Sequence, residues 1–322
     1  MRRIPIPWWV FLVVIAIAGA LPFFIGPAAL WGPLASGGFG PRKLSAMQLL
    51  TSLPPDQATH VFIDIDALRR DGILDLIAGS SAAEDADYKN FVEQTKFDYR
   101  KDLDTIAAAF AHGNQYFALG GRFDWQRLEK YALSQGGKCV KSICSMPASE
   151  PGRYISFYTL GANALALAVA NEERGVMMIG PGQWELGGKS KPQFPPEPVW
   201  ISAPPFQFTE TRNFPAGTHS FFSPLAVARH VTFAIGPEGN RLQVRLEVAC
   251  NDAVGAAALA KQLTDTTDLL KKMLEREHQK PNTNDLSGVL VAGSFAQKDT
   301  QVVGTWPLER GFVEAFASGK IE

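Results

Sequence analysis

The sequence predicts an α+β protein, with an N-terminal transmembrane helix followed by two β-β-α-β-β-type modules with antiparallel sheets. Three observations lead to this prediction. An uncharged apolar stretch lies close to the N-terminus, runs of β-branched and aromatic residues come in pairs separated by short turn sequences, and amphipathic helical patterns lie between those pairs. Because strands follow strands instead of alternating with helices, a doubly wound parallel sheet is disfavoured.

The composition narrows the class of protein. The chain of 322 residues is 46% hydrophobic and 20% charged, which is typical of globular proteins and argues against a collagen-like, wholly disordered or polytopic membrane protein. The 31 basic and 32 acidic residues give a formal net charge of -1, so no nucleic-acid partner is expected. The first 43 residues carry four of the basic residues and no acidic residue.

The first element is a predicted membrane anchor. No Asp, Glu, Lys or Arg occurs between Arg3 and Arg42, and residues 8–25 are 18 consecutive residues without a strongly polar side chain. As a helix they span about 27 Å, close to the roughly 30 Å hydrocarbon core of a bilayer. Residues 1–31 are therefore predicted to anchor the chain in the cell membrane in a single pass. Arg3 and its neighbour Arg2 favour a cytoplasmic N-terminus and an extracytoplasmic (periplasmic) remainder.

A cleaved signal peptide is the alternative interpretation of this stretch. Ala18-Gly19-Ala20 has the small-x-small form of a cleavage site. Cleavage there would leave the apolar sequence Leu-Pro-Phe-Phe-Ile at the new N-terminus, which favours the anchor. Residues 32–44, rich in Gly, Pro and Ser, are predicted to form a flexible linker.

The first predicted module covers residues 45–179. A strand at 61–65 leads into a helix that has Asp66 as its N-cap and runs through Leu68 and Ile77. The remaining elements are a helix at 87–95, paired strands at 105–110 and 115–119 turning at His112-Gly113-Asn114, a helix WQRLEKYAL capped by Asp124, and strands at 138–145, 154–160 and 164–170.

A connection at 180–227 is predicted to join the two modules. It contains nine of the 22 prolines and eight aromatic residues between Gly180 and Pro224. Because disordered linkers are poor in aromatic residues, this composition favours an ordered, extended segment packed on the modules. A partner-binding surface from Phe194 to Phe222 is the alternative interpretation.

The second predicted module covers residues 228–322. Its elements are paired strands at 231–235 and 242–248, a long helix capped by Asn251-Asp252 and ending before Pro281, paired strands at 289–295 and 301–305, and a closing helix at 308–316. The long helix carries an apolar stripe of Ala256, Leu259, Leu263, Thr266, Leu270 and Met273, widened by Leu269 and Leu274. This stripe is expected to pack on its own sheet. Self-association through the far end of the helix is the alternative.

Three cysteines are too few for a disulfide-stapled fold. Cys139 and Cys144 enclose four residues and can close a hairpin disulfide in an oxidising compartment, whereas two free thiols are the alternative. Cys250 is predicted to be a buried free thiol. No metal or cofactor is expected, since zinc would need two further ligands and no His or Cys pair lies near in the sequence.

Two pairs of aspartates are the strongest candidates for chemistry. Asp64 and Asp66 are two residues apart and share one face if the strand continues that far, and Asp102 and Asp104 repeat this spacing. Four converging carboxylates can bind a hard cation or act as an acid and a base. The competing interpretation is local: Asp66 caps a helix, and Asp98 or Asp102 caps the turn before Leu103. No catalytic residue is assigned.

Several motifs between Leu53 and Met178 carry a resemblance that covers about 40% of the chain. They are Leu53-Pro54-Pro55-Asp56, the strand end from Asp64 to Arg69, FDYRKDLD from Phe97 to Asp104, and GRFD from Gly121 to Asp124. In these motifs the chain resembles an uncharacterised family of bacterial membrane-anchored envelope proteins. The resemblance implies an envelope location and brings no activity, ligand or catalytic residue with it.

These observations together predict a membrane-anchored extracytoplasmic protein with a non-catalytic role in binding or scaffolding in the cell envelope. The expected partners are the membrane, through residues 8–25, and another protein or a second copy of the chain. The alternative is a metal-dependent or hydrolytic envelope enzyme whose site is built from the distant carboxylates.

Overall fold

The computed structural model describes residues 43–55, 57–74, 86–186, 194–209, 218–239 and 241–317. The predicted anchor, nearly all of the predicted linker, Asp56, Ile77 and Phe214 lie outside these residues. None of the helices in the described ranges combines the length and the apolar character needed to cross a membrane. The described residues fall into two units, an N-terminal one up to Phe194 and a C-terminal one from Pro195. The prediction of an α+β fold with antiparallel sheets is confirmed.

The N-terminal unit contains a seven-stranded antiparallel set. Its strands are β1 Thr59–Asp64, β2 Leu103–Ala111, β3 Asn114–Gly121, β4 Lys138–Val140, β5 Ile143–Pro147, β6 Tyr154–Gly161 and β7 Ala164–Ala170. They lie in the order β1-β2-β3-β7-β6-β5-β4. The predicted β2–β3 hairpin turns at His112 and Gly113, which both have positive φ, as the favoured two-residue hairpin turns require.

Short helices surround these strands. They are α1 Ala46–Thr51, α2 Ile65–Arg70, α3 Ala86–Thr95, α4 Tyr99–Asp102, α5 Trp125–Ser134 and α6 Gln183–Leu186, with a 3-10 turn at Gly175–Met178. The predicted helices at 87–95 and after Asp124 are confirmed, and Asp124 accepts the Arg127 N–H at 3.1 Å as an N-cap. The predicted strand at 138–145 is wrong as a single element, because the chain turns back at Lys141 and forms the β4–β5 hairpin.

On the central strands β2, β3 and β7, one face carries mostly small side chains and the other larger ones; Tyr116, the register partner of Ala109 and Ala168, is the buried exception. One face is lined by buried alanines on adjacent strands, namely Ala107, Ala109, Ala118, Ala164, Ala166, Ala168 and Ala170. Other segments approach this face closely: a Cβ atom at Gly120 would lie 3.2 Å from Leu49 Cδ1, and one at Gly175 would lie 2.5 Å from Ala170 Cβ. We refer to it as the alanine face. The opposite face carries larger residues such as Phe157, whose ring contacts Trp125 of α5.

The C-terminal unit contains five antiparallel strands. These are β8 Val199–Ala203, β9 His230–Glu238, β10 Arg241–Ala249, β11 Ser294–Lys298 and β12 Gln301–Leu308, in the order β8-β9-β10-β12-β11. The helices are α7 His219–Phe222, α8 Ala253–Arg276, α9 Leu286–Val291 and α10 Arg310–Ala317, with 3-10 turns at Pro205–Phe208 and Ser223–Val227. The predicted strand at 289–295 is wrong for residues 289–293, because 289–291 belong to α9 and β11 begins at Ser294.

One hydrophobic core lies in the C-terminal unit. Strand residues Val231, Leu246 and Val302 are in one cluster with Leu259 and Leu263 of α8. Asp252 caps α8 as predicted and accepts the Gly255 N–H at 2.7 Å. Towards the C-terminus the predicted stripe continues through Leu270, which packs against this core, and Leu274, which is buried, whereas Leu269 and Met273 are 60% and 49% exposed. The prediction that the stripe packs on its own unit is therefore confirmed, except that Leu269 and Met273 do not belong to the buried face.

The two units share one strand order. In each unit, an opening strand pairs with the first strand of a hairpin, and a helix follows the hairpin. The last strand of the unit then pairs with the second strand of that hairpin. The resulting orders are β1-β2-β3-β7-β6 and β8-β9-β10-β12-β11. The predicted β-β-α-β-β modules therefore lack two features. One is the opening strand of each unit, although the separately predicted strand at 61–65 corresponds to β1, and the other is the inserted β4–β5 hairpin of the N-terminal unit.

The predicted connection at 180–227 contributes to the C-terminal unit. It contains the opening strand β8, and Phe208 and Phe221 belong to the C-terminal core. Trp200 is also buried, whereas Phe206 is 49% exposed. Because most of the described aromatic rings of this segment are covered, they do not form an exposed partner-binding surface.

Candidate functional site

Asp64 lies at the junction of β1 and α2, where it acts as a helix cap. Its Oδ1 atom accepts the Ala67 N–H at 2.8 Å, which satisfies one of the unpaired donors of the first helical turn. The prediction that Asp66 caps this helix is wrong, because the helix begins at Ile65, two residues earlier than a cap at Asp66 requires. Asp66 instead lies in the first turn, where its negative charge interacts favourably with the positive end of the helix dipole.

Arg69 brings Asp66 and Asp104 together. Its Nη1 atom lies 3.0 Å from Asp66 Oδ1 and 3.7 Å from Asp104 Oδ1. The same guanidinium donates to the backbone carbonyl oxygens of Arg100, at 2.7 Å, and of Leu103. Arg69 therefore ties α2 to the start of β2, and both carboxylates are held as its counter-ions.

Asp102 is occupied in the same way by a different arginine. Its Oδ1 atom lies 3.1 Å from Arg122 Nη2, and its Oδ2 atom accepts the Asp98 N–H at 2.9 Å. Asp98, one of the two residues predicted as a cap before Leu103, caps α4 by accepting the Arg100 N–H at 3.1 Å. Asp102 therefore stabilises the turn between α4 and β2.

The four predicted aspartates do not form a bare cluster of ligands. Only Asp66 and Asp104 share a partner, and that partner is a cation. Within the described ranges, no three of their oxygen atoms come close enough together to hold a metal ion. Because each carboxylate faces a guanidinium or a helix N-terminus, its charge stabilises local structure instead of remaining available to a cation or a substrate.

A cluster of two hydroxyl groups and an imidazole lies on strands β8 and β9 of the C-terminal unit and was not predicted from the sequence. Ser202 of β8 and Thr232 of β9 are cross-strand partners, with their oxygens 2.7 Å apart, and Ser202 Oγ also lies 2.5 Å from His230 Nε2. His230 is exposed at the start of β9, and partial desolvation of its ring lowers the pKa of the imidazole. Among the described residues no carboxylate forms an ion pair with His230, so the cluster lacks the third member of a catalytic triad.

A second unpredicted interaction fixes the segment before β8. Arg245 of β10 holds both carboxylate oxygens of Glu197, at 2.7 and 2.8 Å, and also pairs with Glu247. The hydrogen bonds that Arg245 donates to the Glu197 carboxylate raise the pKa of Arg245. Bidentate pairs of this kind are among the stronger charge-assisted hydrogen bonds. The pair could not be identified from the sequence, because the two residues are 48 positions apart.

The β4–β5 hairpin brings the two predicted cysteines directly opposite each other. Cys139 and Cys144 are register partners, and their sulfur atoms form a disulfide bond with an S–S distance of 2.04 Å. Glu129 of α5 lies beside them, and its carboxylate oxygen and the two sulfur atoms are all within 4.8 Å of one another. Cys250, the remaining cysteine, is free and buried as predicted.

Comparison of the sequence with models of protein families and with curated proteins finds no match. Among solved structures, the fold is similar to that described as crystal form I of TP0453, with a TM-score of 0.45 and 11% identity over 86% of this chain and 99% of the other. Crystal form III of TP0453 gives a TM-score of 0.46 and 12% identity, over 84% of this chain and 97% of the other. Similarity at this level carries no argument about function.

Proposed function

We propose that this protein is a membrane-anchored extracytoplasmic protein that binds or scaffolds other components of the bacterial cell envelope without catalysing a reaction. The observation that carries the proposal is the uncharged apolar stretch at 8–25, which follows Arg2 and Arg3. A stretch of that length matches the thickness of a bilayer, and basic residues before it favour a cytoplasmic N-terminus. The remaining chain then lies on the opposite side of the membrane.

The disulfide between Cys139 and Cys144 supports the proposed compartment. Disulfides persist in the periplasm and outside the cell, whereas cytosolic reductants keep most thiols reduced. The bond joins β4 and β5 in the N-terminal unit. The resemblance of residues 53–178 to bacterial envelope proteins favours the same location.

The ion pairs of the candidate aspartates support a non-catalytic role. A hydrolytic or metal-dependent site needs carboxylates that are free to bind a cation or to exchange a proton. Asp66, Asp102 and Asp104 instead face Arg69 or Arg122, and Asp64 caps α2. The enzyme alternative therefore loses the residues on which it was based.

Fractionation of bacteria that express the full chain tests the location. We expect the wild-type chain to stay in the membrane pellet after alkaline carbonate extraction and to be digested by protease added to spheroplasts. Replacing Val13 and Val14 by arginine should prevent insertion, because each charge at the centre of a membrane helix costs about 2.5–3.5 kcal/mol on insertion scales. Replacing Pro33 and Leu34 by arginine, in the predicted linker, is the matched control and should leave the chain in the pellet.

Thiol alkylation in intact cells provides an independent readout. In the proposed compartment, Cys139 and Cys144 should resist alkylation until a reductant is added. A wild-type chain that is soluble in the cytoplasm, with both thiols open to alkylation, would contradict the proposal.

N-terminal sequencing of the membrane-fraction protein separates the anchor from a cleaved signal peptide. An N-terminus at Met1 or Arg2 supports the anchor. A new N-terminus at Leu21, after Ala18-Gly19-Ala20, would contradict it, since most of the membrane-spanning stretch would then have been removed.

A further inference from the structure

Three potential metal ligands converge beside the β4–β5 hairpin of the N-terminal unit. The Sγ atoms of Cys139 and Cys144 and a carboxylate oxygen of Glu129 lie within 4.8 Å of one another. Cys144 is buried, whereas Cys139 and Glu129 are half-buried. Glu129 lies on α5, and its backbone carbonyl oxygen is 3.8 Å from Cys139 Sγ.

Glu129 has no ion-pair partner among the described residues, unlike the candidate aspartates. Lys138, the residue that precedes Cys139, is paired with Glu173 at 2.6 Å. A half-buried carboxylate that lacks a counter-ion and lies beside two sulfur atoms is therefore available as a ligand. The sequence did not reveal it, because Glu129 precedes Cys139 by ten residues and lies on a different element.

The donor set fits a thiophilic divalent cation. Zinc is bound by cysteine thiolates and carboxylates, and three protein ligands with one water molecule form a common four-coordinate site. In a tetrahedral site with Zn–S bonds of about 2.3 Å the two sulfur atoms lie about 3.8 Å apart. The cysteines reach that separation only after the disulfide is broken, so the oxidised hairpin cannot bind the metal through both of them.

We infer that the reduced hairpin binds one thiophilic divalent cation, such as Zn²⁺, through Cys139, Cys144 and Glu129, and that the disulfide closes this site. The co-reactant is a dithiol. Its two thiols are oxidised to an intramolecular disulfide while the Cys139–Cys144 bond is reduced to two thiols. The cation then displaces the two thiol protons and binds the resulting thiolates. This inference does not depend on the membrane anchor.

Titration of the full chain in non-ionic detergent with Co²⁺ under anaerobic conditions tests the inference. After reduction with a dithiol and removal of the reductant, we expect one Co²⁺ per chain, with cobalt–thiolate charge-transfer absorption in the near ultraviolet. Zn²⁺ should displace the Co²⁺ and remove the absorption. The oxidised chain should give no such absorption.

Variants identify the three ligands. Cys139→Ser should abolish the charge-transfer absorption of a two-thiolate site. Glu129→Gln should weaken Co²⁺ binding at least tenfold, since even the loss of a residue that only supports a ligand costs about tenfold or more in affinity. Glu172→Gln, in the same unit, and Cys250→Ala, which removes the third thiol, are the controls and should bind as the wild type does.

Several outcomes would overturn the inference. One is that the reduced wild-type chain binds neither Co²⁺ nor Zn²⁺. Another is that the oxidised chain binds these ions as tightly as the reduced chain does. Equal affinity of the Glu129→Gln variant and the wild type would remove the carboxylate from the site. This substitution is on the half-buried surface of α5 and does not alter the cysteines, so a folded Glu129→Gln chain decides the matter even if Cys139→Ser fails to fold.

Discussion

Five aspartates in the described residues accept a backbone N–H at the start of a helix, and these are Asp64, Asp98, Asp124, Asp252 and Asp285. An aspartate side chain is short enough to reach the N–H groups of the first turn, and its charge favours the positive end of the helix dipole. Helix capping alone therefore accounts for an aspartate at the junction between a strand and a helix, without any bound ligand. Asp64 lies at such a position, which is why it resembled a site residue.

Substitution of Asp64 separates capping from metal binding. Asp64→Asn should keep the stability of the wild type because asparagine caps helices about as well, whereas Asp64→Ala should cost about 1 kcal/mol of the free energy of unfolding. Urea unfolding followed by tryptophan fluorescence measures both variants. If Ca²⁺ raised the melting temperature of the wild type and not of Asp64→Asn, the carboxylate would be a ligand and not only a cap.

At the level of single elements, local patterns predicted the hairpins better than the short helices. The β2–β3 and β9–β10 hairpins occur where alternating strands flank a turn sequence. Residues 289–291 are Val-Leu-Val, which favours a strand, yet they form α9 with Asp285 as its cap. A short apolar run fits either a strand or a buried helix, and its surroundings in the fold decide between them.

The alanine face determines how closely other segments pack on the N-terminal sheet. Ala118 and Ala166 are register partners on β3 and β7, and neither exposes any surface. Ala118→Leu should destabilise the protein by about 1–3 kcal/mol, because the added carbons have no room without displacing neighbouring segments. Ala296→Leu is the matched control, since Ala296 is exposed on β11, and it should change stability by no more than about 0.5 kcal/mol. Thermal unfolding of both variants checks this, and equal stabilities would mean that the face is not tightly packed.

For the molecule as a whole, the shared strand order shows one topology built twice from sequences with no convincing residue-level repeat. The predicted strand at 61–65 corresponds to β1, whereas β8, which opens the C-terminal unit, was not predicted as a strand. The segment of β8 lies in a proline-rich stretch, and its strand identity depends on pairing with β9. Strand order is a property of contacts between residues far apart in the sequence, so periodicity alone does not reveal it.

The C-terminal core offers a test at this scale. Leu263→Ala should destabilise the protein by about 2–5 kcal/mol, because it leaves a cavity among residues that all belong to the C-terminal unit. Leu269→Ala, on the exposed side of the same helix, should have an effect of no more than about 0.5 kcal/mol. Hydrogen exchange should show lost protection in β9, β10 and β12 and little change in β2, β3 and β7. Equal loss of protection in both units would contradict the assignment of Leu263 to a separate core.

The sequence by itself determined the α+β class, the β2–β3 and β9–β10 hairpins, the helices capped by Asp124 and Asp252, and the pair of cysteines able to form a disulfide. These features depend on neighbours within a few residues, such as turn sequences, capping side chains and short spacings. Only the tertiary structure decided that Arg69 joins Asp66 to Asp104, that alanines line one face of the N-terminal sheet, and that Glu129 lies beside the two sulfur atoms. Each of these results depends on which strands and helices are adjacent, and that adjacency is decided by packing across the whole unit.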